Sequence, residues 1–192
     1  MQTLRITKKS GFTLIETLVA LSIFTVSILG MIVILADGTS NVSYAKSKTI
    51  STYLSQEGVE LVRNLRDEYT LNGQGWARFK QKVTTPLLED CVGAGCIAYI
   101  DPATYATVIQ ECPPSSGSIQ GACPPLTRDI SPASSGFYNY SNPSKPTAFQ
   151  RVIRVMPMGV LGDELKVSST VFWSYKGKNY TTVSSESLFN WQ

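Results

Sequence analysis

The chain has 192 residues, 43% hydrophobic and 16% charged, a size that fits one domain plus a distinct terminal element and excludes two full domains. Its formal charge of +3 resides in Arg5, Lys8 and Lys9. After residue 11 there remain 14 basic and 14 acidic residues, so nucleic acid is not indicated as a partner. Histidine is absent, which excludes Ser-His-Asp and Cys-His catalysis and the common zinc catalytic sites.

The first predicted element is a short basic leader, residues 1–11, followed by an apolar span, residues 12–36. From Phe12 to Ala36 almost every residue is apolar or small, and Glu16 is the only charge. A helix of roughly 25 residues rises about 37 Å, enough to cross the ~30 Å core of a bilayer. Basic residues just before such a span hold that flank in the cytoplasm and send the C-terminal bulk outward, which predicts a single-pass precursor in the cytoplasmic membrane. A carboxylate inside a bilayer costs a few kcal/mol, so Glu16 is a candidate functional residue. An ordinary secretory signal would be cut after the apolar stretch, for which Ile34-Leu35-Ala36 is a passable site. Its apolar region, however, would be only about 7–15 residues long. An uncut anchor leaves the cost of Glu16 without a role.

Residues 37–192 are then an extracytoplasmic head. Asp37-Gly38-Thr39-Ser40-Asn41 is a polar interruption that predicts local loosening, after which Ile50, Leu54, Gly58, Leu61 and Leu65 resume one helical face. The expectation is one long helix from about Thr13 to Tyr69, apolar all round in its first half and amphipathic in its second (37–70). Asn72-Gly73-Gln74-Gly75 ends it, and Trp76 to Val83 suits a short amphipathic turn. Residues 71–146, rich in Gly, Pro, Ser and Cys, read as a crosslinked loop region with little regular core. Residues 147–192 read as three antiparallel strands, with Leu165, Val167, Val171 and Trp173 sharing one parity. Lys166, Lys176 and Lys178 with Tyr175 and Tyr180 group as a small basic-aromatic patch or as lysine protection of a strand edge.

All four cysteines, Cys91, Cys96, Cys112 and Cys123, fall in the loop region, an even number on the side where thiols oxidise. Two disulfides are expected, and no cofactor or metal. Cys91-x4-Cys96 would suit half a zinc site, but Cys112 and Cys123 are not spaced as a ligand pair. Four cysteines allow three pairings, and local closure favours Cys91 with Cys96 and Cys112 with Cys123. The acidic pairs Glu89-Asp90 and Asp163-Glu164 read as solvated turns, not as a glycosidase pair, so an enzyme is not expected.

Lys8-Lys9-Ser10-Gly11-Phe12-Thr13-Leu14-Ile15-Glu16, followed directly by a full apolar span, closely resembles the class III signal of type IV prepilins and type II secretion pseudopilins. The resemblance implies an α+β, type IV pilin-like fold, with a long N-terminal helix on a small C-terminal antiparallel sheet. It implies cleavage by a prepilin peptidase between Gly11 and Phe12, N-methylation of Phe12, and recruitment into a filament through Glu16. Implied partners are other pilins, the peptidase and the pilus assembly platform, and the product is a surface pilus or a periplasmic pseudopilus. Ser55-Gln56-Glu57-Gly58-Val59-Glu60, Arg63-Asn64-Leu65-Arg66-Asp67 and the Phe149-x-Arg151-x-Ile153 strand with Trp173 resemble minor pilins of the pilus-modification protein V kind. Type II secretion minor pseudopilins and DNA-uptake or adhesion pilins are the alternatives within that resemblance.

Overall fold

A computed structural model describes residues 11–85, 91–101, 103–112, 123–128, 136–140, 145–159 and 163–190. Arg5, Lys8, Lys9, Ser10 and Glu89-Asp90 lie outside the described residues. Helix α1 runs Leu14–Leu71 and contributes to both of the two units into which the chain divides, Met1–Ala45 and Lys46–Gln192.

In the first unit every residue from Gly11 to Thr39 is exposed. This stretch of α1 is long and apolar enough to cross a membrane. The loosening expected at Asp37 to Asn41 does not occur, and the helix is continuous there. One helical glycine costs only ~1 kcal/mol, and a helix already propagating on both sides absorbs it. The Thr39 hydroxyl also turns inward and donates to the carbonyl of Ala36 at 2.9 Å, so its polar group does not compete for the ladder.

The second unit is a helix-on-sheet head. The α1 residues buried in it are Ser51, Leu54, Ser55, Gly58, Val59, Leu61, Val62 and Leu65, which recur at helical spacing on one face. Ile50, expected on that face, is half-buried, while Ser51 and Ser55 are fully covered. Helix α2, Gly75–Thr84, adds Trp76, Phe79 and Val83 to the same core and is a full helix where a turn was expected.

Residues 71–146 depart most from expectation. They carry α2 and four short strands: β1 (Cys96–Ile100), β2 (Thr107–Glu111), β3 (Pro125–Arg128) and β4 (Tyr138–Asn139). With β5 (Lys145–Met158), β6 (Glu164–Tyr175) and β7 (Lys178–Phe189) they make, among the described residues, a seven-stranded sheet, not three strands. Strands of two to five residues are too short to show a decisive alternation, which explains the difference. Strand β5 organises the sheet. One of its edges pairs with β6, which pairs with β7 along twelve residues; its other edge takes β1 at Ile153 and β3 between Lys145 and Gln150.

Leu165, Val167, Ser169, Val171 and Trp173 alternate along β6 and are all buried, as their parity predicts. Lys176-Gly177 closes the β6–β7 hairpin with φ of 48° and 75°, the two left-handed residues of a type I′ turn. Lys176 lies 5.7 Å from the Tyr175 ring, and Tyr180 stacks on buried Trp173 at 4.6 Å. Lys166 does not join this group. It pairs with Met156 and Ser187 at the other end of the hairpin, because an antiparallel register of this length separates residues 166 and 176 by most of the strand.

Candidate functional site: the start of α1 and the crosslinked head

Gly11, Phe12 and Thr13 precede the helix, and Glu16 is its third residue. Thr13 caps it: the backbone N–H of Glu16 donates to Thr13 Oγ1 at 3.4 Å, and the N–H of Thr17 to Thr13 O at 3.2 Å. Thr-x-x-Glu is the pattern of a capping box, and it fixes the helix start at Leu14, two residues beyond Phe12. The Glu16 carboxylate consequently lies in the first turn, where the partial positive charge of the helix end offsets some of the cost of an anion in apolar surroundings. Among the described residues Glu16 has no salt-bridge partner, and Phe12 is 81% exposed.

The hydroxyls that follow are all turned inward. Thr17 donates to Leu14 O, Ser22 to Val19 O, Thr25 to Ser22 O and Ser27 to Ile23 O, each at 2.8–2.9 Å. Side chains satisfied in this way can sit in lipid or against another helix without an unpaired polar atom.

The head positions its cysteines on the non-hairpin edge of β5. Disulfides join Cys91 with Cys96 and Cys112 with Cys123, and no free cysteine remains. Cys91 O accepts the N–H of Val155 at 3.0 Å, and Gly95 O accepts that of Cys112 at 2.9 Å, so the first crosslinked loop is stitched into the sheet. Gly95 has φ +90°, and a Cβ there would stand 2.6 Å from Val152 Cγ1, so both conformation and space call for glycine. The second crosslink packs with Ile97 and Val152 on the sheet face away from α1, together with Tyr99, Tyr140 and Phe172. Tyr140 donates to Arg151 O at 3.3 Å, and burial pushes its phenol above the usual value against the opposing pull of the Arg151 charge.

Two structural anchors escaped sequence reasoning. Arg151 is fully buried; it donates to Leu54 O at 3.1 Å, Glu57 Oε2 at 3.2 Å and Ala98 O at 2.6 Å, tying α1, β5 and β1 together. Its signal was parity, since Arg151 alternates with Phe149, Ile153 and Val155. The other anchor is a hydroxyl seam, Ser51 Oγ to Thr182 Oγ1 at 2.7 Å and Ser55 Oγ to Ser184 Oγ at 2.8 Å. Ser51, Ser55 and Gly58 at helical spacing were its trace. Arg63 bridges Glu60 and Glu186 on the adjoining rim, and the hydrogen bond to Glu186 raises its pKa.

None of these head groups makes a reactive constellation, and no metal-ligating cluster occurs among the described residues. The family model described as Prokaryotic N-terminal methylation motif matches residues 6–32. No curated protein and no solved structure matches the chain. The matched residues take in Gly11, Phe12, Glu16 and most of the exposed apolar helix, so the chain carries a prokaryotic N-terminal methylation motif ahead of an α+β head in which a long helix packs on an antiparallel sheet.

Proposed function

We propose that the chain is a minor pilin-like subunit of a type IV pilus, cut by a prepilin peptidase between Gly11 and Phe12, N-methylated at Phe12, and drawn into the filament by Glu16. The observation that carries this reading is the methylation motif at residues 6–32 on a helix whose apolar surface is uncovered from Phe12 to Leu35. Cleavage creates a positive α-amine four residues from Glu16. In a low-dielectric bundle, the carboxylate of one subunit attracts the amine of its neighbour, while side-chain packing between helices replaces lipid. The disulfides suit a head held in an oxidising compartment.

Intact mass and terminal-peptide sequencing of envelope protein test the processing step: the expected terminus is N-methylated Phe12, and a terminus at Asp37 rejects it. Glu16→Gln tests assembly, since it removes the charge, keeps the volume and eases membrane insertion. The variant should accumulate as processed protein in the membrane fraction and be missing from sheared filaments. Wild-type incorporation would show that the carboxylate has no part in assembly. The minor role predicts a low ratio of this subunit to the principal pilin in purified fibres, and an equal or dominant share would contradict it.

A further inference from the structure

The charges of the head separate by position. Among the described residues, every ion pair made by α1 lies from Glu57 onward: Glu57 with Arg151, Arg63 with Glu60 and Glu186, and Arg66 with Asp67. Between Asp37 and Glu57 the only charged residues are Lys46 and Lys48, and between Lys166 and Glu186 the only ones are Lys176 and Lys178. These two acid-free segments meet in the fold. Ser51 bonds Thr182 and Ser55 bonds Ser184, so α1 and β7 run side by side in the same direction. Lys46 stands about 7.5 Å along the helix before Ser51, and Lys178 about 13 Å along the strand before Thr182. Both therefore occupy the end of the head at which α1 enters.

The side chains of Lys46, Lys48 and Lys178 are exposed, and among the described residues none makes an ion pair. Lys176 is engaged with the Tyr175 ring and is not counted with them. Ser47, one turn before Ser51 on the buried face, separates Lys46 from Lys48, so the two project to its two sides. Ten residues lead from Ala36, where the apolar stretch ends, to Lys46, which is about 15 Å of helix. The polar headgroup layer of a bilayer takes up roughly 5–7 Å of that distance, and the remainder is close to the ~8 Å Debye length at physiological salt.

We propose that this end of the head rests on a bilayer surface carrying anionic phospholipid headgroups, with Lys46, Lys48 and Lys178 as its contacts. Ammonium groups this close to such a surface are drawn to its phosphates and its negative potential. Asp37 is the one opposing anion against these three cations. Tyr175 and Tyr180, half-buried beside the hairpin turn, are of the ring type that settles at headgroup depth. The short tether to the apolar stretch presents a lipid surface at high effective concentration, whereas nucleic acid would reach the same cations only from solution. The inference rests on the apolar stretch lying in a membrane, and on neither processing nor assembly.

The full chain is reconstituted in phosphatidylcholine vesicles, alone or with about 30% phosphatidylglycerol, and its association is checked by flotation. Amines are acetylated with an uncharged reagent and each lysine is read by peptide mass spectrometry, with exposed Lys166 as the internal reference. Phosphatidylglycerol should lower acetylation of Lys46, Lys48 and Lys178 about threefold relative to Lys166, and about 0.5 M salt should restore it. Lys46→Glu combined with Lys178→Glu should return Lys48 to its phosphatidylcholine rate, at an unchanged melting temperature because both side chains are exposed. Should that variant fail to fold, the lipid and salt comparison on the natural chain still decides. Equal rates in the two vesicles, or equal protection of Lys166, overturn the proposal. Protection that follows the ratio of chain to lipid instead of lipid charge also overturns it, because a second copy would then cover the patch. So does equal protection by duplex DNA in phosphatidylcholine vesicles, which would assign the patch to nucleic acid. Failure to float with either vesicle rejects the membrane reading of the apolar stretch itself and the inference with it, whereas flotation with equal rates rejects the lipid contact alone.

Discussion

Gly58 shows how closely α1 approaches the sheet. A Cβ at this position would stand 2.2 Å from Ser169 Oγ and 3.0 Å from both Ser169 Cβ and Arg151 Cδ. Gly58→Ala gains ~1 kcal/mol of helix propensity but forces the helix off β6, and overpacking of this kind costs about 1–3 kcal/mol. A lowered melting temperature is expected. Among the described residues the buried Ser169 hydroxyl has no hydrogen-bond partner. Ser169→Ala should therefore raise the melting temperature, removing a desolvated hydroxyl worth about 1 kcal/mol. It should also recover part of the loss when combined with Gly58→Ala, and strict additivity of the two would show that they do not meet.

Tyr140 gives the head a pH dependence with a definite sign. Its phenol pKa is raised by burial in the folded protein, so above about pH 10 the unfolded chain releases a proton that the folded chain retains. The stability associated with this group is complete below that value and is lost as pH rises through the folded pKa. Tyr140→Phe should be less stable at neutral pH by ~1 kcal/mol, having lost the bond to Arg151 O, yet show a flatter decline in alkali. Denaturant melts on either side of the phenol range test this, and parallel declines in the two proteins would refute it.

Among the elements, the first crosslink is the one whose removal should spread furthest. Its loop supplies Cys91 O and Gly95 O to the sheet, so Cys91→Ser with Cys96→Ser loosens the backbone that β1 and β5 share as well as the covalent tie. A loss of about 2–5 kcal/mol is expected, measured by denaturant midpoint, together with faster amide exchange at Cys112 and Val155. Normal exchange at those two positions would show that the loop holds its shape without the bond.

The long elements were legible because their patterns persist. β5, β6 and β7 run twelve residues or more, and helical periodicity returns through Leu54, Leu61 and Leu65. β1 to β4 are held by crosslinks, by glycine geometry at Gly95 and by pairing to a distant strand, none of which leaves a local period. The partners that satisfy Ser51, Ser55 and Arg151 lie across the interface, on distant strands and turns of helix that sequence alone does not bring together.

At the scale of the whole chain, legibility was greatest where the chemistry is local. Leader charge, glycine, phenylalanine and glutamate lie within nine residues, from Lys8 to Glu16, whereas Lys46, Lys48 and Lys178 come to one end of the head only once β7 is folded along α1. The inward-turned hydroxyls of Thr17, Ser22, Thr25 and Ser27 have a mechanical consequence for any bundle built from this helix. With each donor already spent on its own backbone, the surface between Phe12 and Ala36 presents neighbours with dispersion contacts and nothing directional, apart from Glu16. In the assembly proposed above, one subunit could rotate against the next with little change in energy, while sliding along the axis would pull the Glu16 charge from its proposed partner. Such a fibre would yield to torsion well before it yields to shear.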